Sequence, residues 1–419
     1  MKTEKHYDAV VIGAGAAGMA AACAVCERGL QVALVDREEH LGGILLQCIH
    51  NGFGLHHFKE ELTGPEYAGR CIERVLSLPI DIYLETTVVD IAPEVESRTV
   101  HAYSGRHGVL EFHARAIVLA MGCRERNRGN IGIPGLRPSG ILTAGLAQRL
   151  LNIDGYMPGK KVVIVGSGDI GLIMARRLTW TGARVRCVVE ILPCPSGLTR
   201  NIVQCLQDFS IPLHLSHAVT RIRGTDRVEA VEISPLHNGV PRARKAFTVE
   251  CDTLLLSVGL IPENELSRRA GIAISPDTNG AEVDHRLQTS VEGIFACGNV
   301  LHVHDLVDYV SEEAETCGGN VAAYIHHGRD TRATAPVEAG ANLKYVLPNR
   351  CAPGETTRLL MRALAAHDRA KLVIQQQGAE VVRRALKHVR PAEMISCSLS
   401  ERETAALRPD VPVQCTLET

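Results

Sequence analysis

The pattern of apolar and polar stretches predicts the same local unit twice. An apolar strand ending at Ile12 runs into a glycine-rich turn and an alanine-rich helix, and a second apolar strand spans 31–35. The pattern restarts at Lys161–Val165, which leads into another glycine-rich turn, a helix and a strand over 184–189. Each stretch is typical of a βαβ unit with buried parallel strands. The chain is therefore predicted to be a doubly wound α/β protein.

Outside these units the periodicity favours strands. Residues 82–92 and 99–121 alternate like an antiparallel meander, and 253–262 form a buried strand with a Gly/Pro exit. Short apolar runs separated by polar turns continue through 331–419, which predicts a small β-rich C-terminal domain. Helix remains an alternative there for two stretches, 356–366 and 380–389.

The first glycine turn has the spacing of a dinucleotide-binding turn. Gly13 would make the bend, Gly15 would let the backbone approach a pyrophosphate, and Gly18 would let the helix pack close to the strand. Asp36 ends the second strand about 20 residues further on, where a carboxylate accepts the hydroxyls of a ribose. All the parts of a dinucleotide-binding unit are thus present: the strand, the glycine turn, the helix and the acidic residue.

The second turn repeats this arrangement. Its glycines are Gly166, Gly168 and Gly171, and the following strand ends at Glu190. No basic residue follows Glu190 to hold a 2′-phosphate, so we expect NAD rather than NADP. Two such units predict two nucleotides, and FAD beside NAD(H) would place a hydride donor against a flavin.

A glycine-rich loop over 40–54 follows the first ribose-binding strand. Its glycines, Gly43 among them, would let the backbone lie close to a flat ring. A plain glycine-rich loop is the alternative. We favour contact with a flavin, because the loop follows the ribose-binding strand of a dinucleotide-binding unit.

Composition excludes several classes. The 419 residues carry a formal net charge of −2 and only 4% aromatic side chains, which argues against nucleic acid. No apolar run reaches the length of a membrane span and no signal peptide is evident, so we expect a cytoplasmic protein without an integral membrane segment.

The 14 cysteines are scattered, which favours reduced thiols. The CxxC pair, Cys23 and Cys26, lies inside the first helix, where core packing is the preferred interpretation.

Together with both glycine turns, three further motifs carry a resemblance: 120–126 (AMGCRER), 257–262 (SVGLIP) and 293–299 (GIFACGN). The chain resembles the pyridine-nucleotide-disulfide oxidoreductase superfamily over about residues 5–330. The resemblance implies two Rossmann-like nucleotide-binding domains, one inserted in the other, followed by the β-rich domain. The domains are expected to be 1–127 (FAD, first part), 128–260 (NAD), 261–330 (FAD, second part) and 331–419.

The resemblance also assigns the cofactor-binding residues. For FAD they are expected to be Gly13, Gly15, Ala16, Ala17, Gly18, Asp36, Arg37, Gly43, Val88, Gly122, Gly298 and Asn299. For NAD(H) they are expected to be Gly166, Gly168, Asp169, Ile170, Gly171 and Glu190.

The departures from the family matter equally. Leu45 and His50 stand where one branch has its redox cysteines, and the NAD domain lacks the CxxC of thioredoxin reductases. Cys48 is a candidate catalytic thiol, but it lies off the expected position. Asn299 replaces the aspartate that usually ends the last motif, and its amide can still bond a flavin hydroxyl.

Within the superfamily the chain looks most like FAD/NAD-binding subunits of bacterial flavoprotein dehydrogenases acting on glycerol 3-phosphate, opines or proline. This likeness implies two partners, a small metal-binding protein and a flavoprotein dehydrogenase subunit. We expect an FAD-dependent NAD(H) oxidoreductase that exchanges electrons with such a dehydrogenase. The alternatives are a stand-alone NADH oxidase, peroxidase or disulfide reductase that uses Cys48, and a non-catalytic flavin-bearing scaffold.

Four histidines lie near the expected flavin site, at positions 56, 57, 302 and 304. Surface or packing roles are the preferred interpretation for each. No metal site is predicted, because their spacing matches no known ligand pattern and no cysteine pair joins them.

Overall fold

The computed structural model describes residues 2–93 and 97–419. In chain order its strands are β1 (Lys2–Ile12), β2 (Val32–Val35), β3 (Asn51–Phe53), β4 (Leu62–Thr63), β5 (Ile80–Tyr83), β6 (Thr86–Pro93), β7 (Arg98–Ser104), β8 (Gly108–Leu119), β9 (Cys123–Glu125), β10 (Ile141–Thr143), β11 (Lys161–Val165), β12 (Arg184–Val189), β13 (Leu213–His214), β14 (His217–Arg223), β15 (Ala230–His237), β16 (Val240–Pro241), β17 (Phe247–Glu250), β18 (Thr253–Leu256), β19 (Leu260–Pro262), β20 (Ile294–Ala296), β21 (Ala335–Ala339), β22 (Leu343–Leu347), β23 (Arg350–Cys351), β24 (Thr357–Ala363), β25 (His367–Gln376), β26 (Ala379–Val389), β27 (Ile395–Leu399) and β28 (Val413–Glu418).

The α-helices are α1 (Ala16–Cys26), α2 (Gly64–Leu76), α3 (Arg128–Ile131), α4 (Ala144–Asn152), α5 (Asp169–Trp180), α6 (Thr199–Cys205), α7 (Glu265–Arg269), α8 (Val307–His327) and α9 (Glu401–Thr404). The chain divides into two compact units. The first comprises the described residues of 1–46, 51–123 and 262–419, and the second comprises 47–50 and 124–261.

The first unit is built on a seven-stranded sheet in the order β5-β2-β1-β8-β7-β6, with β20 also paired to β8. Strands β5, β2, β1, β8 and β20 pair in parallel, whereas β6, β7 and β8 form the antiparallel meander. The predicted doubly wound α/β architecture is therefore confirmed for this unit.

Small side chains bring α1 and α8 close together. All eleven residues of α1 are buried, Cys23 and Cys26 included. A Cβ added to Gly318 of α8 would lie only 2.7 Å from the Cβ of Ala24, so only glycine fits at this crossing. Burial raises the pKa of Cys23 to about 11 and also raises that of Cys26. This CxxC pair therefore lies in the core as two protonated thiols.

The second unit has a parallel sheet in the order β10-β18-β11-β12-β13. Helix α5 follows β11 and packs with α4 and α6 on an apolar core that includes Leu172, Met174 and Leu178. Strands β14, β15 and β17 form an antiparallel layer over the other face of the strands, where Val163, Val231 and Leu254 share a core.

The C-terminal segment is β-rich, as predicted. One sheet has the order β23-β21-β28-β25-β26 and another the order β22-β24-β27, and they share a core that includes Leu359, Ile374 and Val413. The two stretches left open between helix and strand are strands, β24 and β26. No helix in the described part of the chain is long and apolar enough to cross a membrane.

Candidate functional site: two glycine turns at strand ends

The first glycine turn joins β1 to α1, and its three glycines meet different surroundings. Gly13 has φ +104°, and a Cβ there would lie 2.4 Å from the carbonyl oxygen of Ala120. A Cβ on Gly18 would lie 1.6 Å from the carbonyl oxygen of Gly13. Gly15 has no atom within 4 Å of an added Cβ. The protein itself therefore requires two of the glycines, while the third faces open space.

Gly15 is the N-cap of α1, and no side chain caps this helix start. The first N–H groups of a helix have no intrahelical acceptor and carry partial positive charge. Ala16 and Ala17, both buried, follow directly in the first turn. This is the arrangement that binds a pyrophosphate at a helix N-terminus.

Asp36 lies beside this turn at the end of β2. Its carboxylate accepts hydrogen bonds from the backbone N–H of Ala14, between the first two glycines, and from that of Glu38. The neighbouring Arg37 side chain is 74% exposed. Val88 lies in β6, opposite Ala102 of β7, and packs against the core of the sheet. Asp36 thus meets the turn directly, whereas Arg37 and Val88 lie outside it.

The glycine-rich loop after β2 returns to the same turn. The N–H of Gly42 donates to the carbonyl of Ala14 at 2.9 Å, and a Cβ on Gly43 would lie 3.1 Å from the Cα of Gly15. Leu45, at a redox-cysteine position of the resemblance, is buried in one cluster with Ala16. An apolar contact therefore occupies that position.

The Gly298–Asn299 segment also reaches α1. Gly298 has φ +76°, and a Cβ there would lie 2.8 Å from that of Ala17. The amide of Asn299 donates from Nδ2 to the sulfur of Cys123 at 3.6 Å. Gly122, with φ +72°, precedes that cysteine. The structure therefore brings Gly298 against the first turn of α1 and joins Asn299 to the start of β9.

Asp308 is a contributor that the sequence analysis missed. This buried residue of α8 accepts from the N–H groups of Gly54, His56 and His57 at 3.2, 3.0 and 2.7 Å. One carboxylate thus fixes the end of the glycine-rich loop. An acidic residue in the first turn of a helix was its only signal in the sequence, and that signal is common.

The second glycine turn, in the other unit, has the same design. A Cβ on Gly166 would lie 2.0 Å from the carbonyl oxygen of Ser257, and one on Gly171 would lie 2.7 Å from the Ser257 Cβ. An added Cβ on Gly168 finds only ordinary contacts, the nearest at 3.7 Å. Ser257 also accepts the N–H of Gly171 with its hydroxyl at 3.0 Å, a contact that the sequence analysis missed.

Glu190 ends β12 and is almost fully buried. Its Oε2 accepts from the N–H and hydroxyl of Ser167 at 2.9 and 2.6 Å and from the Ser196 hydroxyl at 3.0 Å, and its Oε1 accepts from the N–H of Leu192. The bond to the residue between the first two glycines repeats the Asp36–Ala14 bond of the first unit. The two acids therefore occupy equivalent positions.

Asp169 begins α5, and its side chain is directed to the next helix. Its Oδ1 accepts from the N–H of Leu198 at 2.9 Å and from the Asn201 amide at 2.6 Å, at the start of α6. Ile170 is half-buried and packs on the apolar core. Any contact of these two residues with a nucleotide would therefore come from their backbone.

Cys48 belongs to the second unit and is buried. Its thiol lies 3.9 Å from Oε1 of Gln148 in α4. Burial raises the pKa of the Cys48 thiol to about 12. About one part in 10⁵ is then thiolate at pH 7, and only the thiolate is a strong nucleophile.

Comparison with known proteins assigns the family. The sequence profile of the "Pyridine nucleotide-disulphide oxidoreductase" family matches residues 7–317. The chain belongs to this family. As a member it is a flavin-dependent pyridine nucleotide oxidoreductase that uses FAD and NAD(P)H.

Individual relatives of this oxidoreductase are distant. A thioredoxin reductase of Treponema pallidum is 26% identical over 307 residues, covering 71% of this chain and 90% of the relative. An opine oxidase subunit from Agrobacterium tumefaciens is 25% identical over 314 residues, covering 70% of this chain. The match spans 61% of that relative's length.

Solved structures support the fold. A crystal structure of a thioredoxin reductase from T. acidophilum superposes with a TM-score of 0.62 and 21% identity, covering 76% of this chain and 98% of the other. The C-terminal strands lie beyond the residues matched by the family profile.

Proposed function

We propose that this oxidoreductase passes electrons through FAD between NAD(H) and a partner dehydrogenase subunit. The observation that carries the proposal is a pair of glycine turns formed as for two nucleotides, in a chain whose candidate redox thiol is buried and unpaired with another cysteine. Residues 124–261 contain four cysteines, at positions 187, 194, 205 and 251, and none of them forms a CxxC pair. Cys48 is buried and protonated, and the described residues contain no exposed pair of neighbouring thiols that could pass electrons to a disulfide substrate.

The proposal assigns FAD to the first glycine turn with Asp36, the Gly42–Gly43 segment and Gly298–Asn299. It assigns NAD(H) to the second turn with Glu190. The relation to an opine oxidase subunit supports a partner that oxidises a small organic substrate. In this proposal a small metal-binding protein is a further electron carrier between the two subunits.

Anaerobic stopped-flow kinetics test this function. NADH should reduce the bound flavin rapidly, and an artificial dye should reoxidise it rapidly. A disulfide or a peroxide should reoxidise it slowly, because both need a reactive thiol. Turnover with either at the rate seen with dye would instead favour a stand-alone disulfide reductase or peroxidase. Failure of NADH to reduce the flavin would favour a scaffold.

Replacing the candidate thiol should change little. Cys48→Ser is expected to keep NADH:dye reductase activity within about twofold, since a thiol that stays protonated is not a redox centre. The measurement is steady-state dye reduction at equal flavin content. Cys205→Ser, which changes another buried cysteine of the same unit, is the control for packing effects. Near-complete loss in Cys48→Ser alone, with FAD bound at full occupancy, would contradict the proposal.

Nicotinamide preference should depend on Glu190. The buried carboxylate repels a 2′-phosphate, so NADH should be preferred over NADPH. Glu190→Gln keeps an acceptor for the Ser167 N–H but removes the charge, and it should shift the ratio of the two kcat/KM values about tenfold toward NADPH, or about 1.4 kcal/mol.

Ser196→Ala is the matched control for that variant. It removes one hydrogen-bond partner of Glu190 and keeps the charge, so the ratio should stay within about twofold of the wild type. An unchanged ratio in Glu190→Gln would show that another residue selects the nucleotide.

A further inference from the structure

Two histidines and one glutamate meet in the interior of the first unit. His302 and His304 follow a short 3₁₀ turn over Gly298–Val300, and Glu313 lies in α8. Their side chains are 1%, 2% and 8% exposed. Nε2 of each histidine lies 3.3 Å from Oε2 of Glu313. We call these three residues the His–Glu cluster.

The outer nitrogen of His304 is fixed by Asn299. The backbone N–H of His304 donates to Oδ1 of Asn299 at 3.0 Å, which establishes that the amide oxygen faces this histidine. Nδ1 of His304 lies 3.3 Å from the same oxygen. An amide oxygen can only accept, so Nδ1 carries the proton. In the neutral ring, Nε2 then presents its lone pair toward the carboxylate.

The side chains of His302 and Glu313 are also oriented by hydrogen bonds to residues outside the cluster. Nδ1 of His302 lies 3.2 Å from the hydroxyl of Tyr345, which accepts a hydrogen bond from Nε of Arg362. Oε1 of Glu313 accepts the N–H of Gly298 at 2.7 Å, so that Oε2 is the oxygen facing both rings. Outer hydrogen bonds of this kind orient the histidine and carboxylate ligands of metal sites.

The distances between the histidine Nε2 atoms and the Glu313 carboxylate favour a bound metal ion over a proton shared in a hydrogen bond. Nε2 of His302 makes one long hydrogen bond to Oε2 of Glu313, at 3.3 Å. Nε2 of His304 is buried and makes no hydrogen bond within the described chain, although the same oxygen lies 3.3 Å away. A charge-assisted N–H···O bond would be about 2.7–2.9 Å long. Two ligand atoms bound at about 2.0 Å to one tetrahedral zinc lie about 3.3 Å apart. At the same bond length an octahedral site would place them about 2.8 Å apart.

We propose that the His–Glu cluster binds a divalent cation of the zinc class in tetrahedral geometry. Nε2 of His302, Nε2 of His304 and Oε2 of Glu313 are the ligands. Imidazole nitrogens suit first-row metals of this class. Three protein ligands leave the fourth position to water or another small ligand. The lone pairs then point at the ion rather than at each other, which explains the missing hydrogen bond of His304.

The spacing of these residues along the chain concealed the site, and the proposal departs from the expectation of no metal. His302 and His304 alternate on one loop, while the third ligand comes from the second turn of α8. Asp305 lies between the histidine loop and α8, but its carboxylate is not free to bind the metal ion. It pairs with Arg362 and accepts the N–H of Met394.

Cobalt binding tests the proposal directly. The FAD-loaded full-length protein is stripped with a chelator and titrated with Co²⁺, whose tetrahedral complexes absorb visible light beyond the flavin bands. We expect one equivalent per chain with a Kd of about 1 μM or tighter, and displacement by Zn²⁺. Absence of stoichiometric binding, or the weak absorption of octahedral Co²⁺, would overturn the proposal and leave a buried His–Glu ion pair.

Two variants locate the signal. Glu313→Gln keeps an acceptor for the Gly298 N–H but removes the charged ligand, and it should weaken Co²⁺ binding at least about 100-fold. The control is Glu111→Gln, in a second group formed by Glu4, Glu111 and His113, whose ligand atoms also lie within 4.8 Å of one another. Its Co²⁺ spectrum and affinity should match the wild type.

The opposite result, with binding lost in Glu111→Gln and kept in Glu313→Gln, would refute the assignment. If Glu313→Gln does not fold, His304→Ala serves instead, because it removes one ligand and leaves the Glu313–Gly298 bond intact. None of these measurements uses turnover, so the outcome is independent of the proposed electron-transfer function.

Discussion

Gly15→Val is expected to give a folded, colourless protein. An added Cβ at this position meets no protein atom within 4 Å, and the backbone is extended, with φ −74°. The fold therefore tolerates the side chain. It would, however, fill the space where the proposed FAD pyrophosphate meets the start of α1. An overlap worth about 3 kcal/mol lowers affinity about 100-fold. The measurement is flavin content per chain after purification, followed by titration with FAD.

The comparison of stability must be made without flavin. Bound FAD itself stabilises the folded state, so the melting temperature of Gly15→Val should be compared with that of flavin-stripped wild type. Gly105→Val provides a control, because an added Cβ at Gly105 also meets no atom within 4 Å, and this glycine lies in the turn between β7 and β8, outside the residues assigned to FAD. That variant should stay yellow. Normal flavin content in Gly15→Val would contradict the assignment of this turn to FAD.

Gly18 should behave in the opposite way. Its added Cβ would lie 1.6 Å from a backbone oxygen of the same turn, so even Gly18→Ala must displace β1 or α1. This substitution should reduce soluble, folded protein rather than FAD affinity alone. Substitution of Gly15 therefore tests ligand binding, whereas substitution of Gly18 tests the packing of the fold.

Both units were predictable from the sequence because their signals are local. Strand, glycine turn, helix and terminal acid lie within about 30 residues, and each step is dictated by backbone geometry or by an apolar run. Asp36 and Glu190 occupy the expected strand ends, each bonded to the residue between the first two glycines. The hydrogen bond from the Ser196 hydroxyl to the buried Glu190 carboxylate was not predictable, because Ser196 lies in a loop whose sequence has no periodic pattern.

The C-terminal strands show where local pattern is insufficient. Residues 357–363 and 379–389 are rich in Leu, Arg and Ala, which also favour helices. Pairing decides between the two structures: β24 lies between β22 and β27, and β26 pairs with β25. Strand pairing depends on other segments of the chain, and the intrinsic propensity of a residue carries no information about them.

Contacts made by α8 were the least predictable part of the site. Asp308 fixes a loop about 250 residues earlier in the chain, and Glu313 holds the N–H of Gly298. Both are ordinary acidic residues near the start of a helix, and only tertiary packing brings them to these positions. The sequence therefore identified the glycine turns but not the side chains that hold the neighbouring loops.

The matched test of the second unit is Gly168→Val. This glycine is the N-cap of α5, with φ −67°, and an added Cβ finds only ordinary contacts, so the second unit should fold. The side chain would occupy the proposed place of the NADH pyrophosphate. We expect kcat/KM for NADH to fall about 100-fold, again corresponding to about 3 kcal/mol of overlap. The measurement is anaerobic flavin reduction across a range of NADH concentrations.

The flavin itself provides the internal control for Gly168→Val. Because Gly168 and Gly15 belong to different units, the variant should retain full FAD and the wild-type flavin spectrum. Reduction by dithionite, which needs no nucleotide site, should proceed as in the wild type. Slow reduction by NADH together with normal reduction by dithionite therefore assigns the second turn to the nicotinamide nucleotide. If Gly168→Val instead lost FAD and kept rapid reduction by NADH after reconstitution, the assignments of the two turns would have to be exchanged.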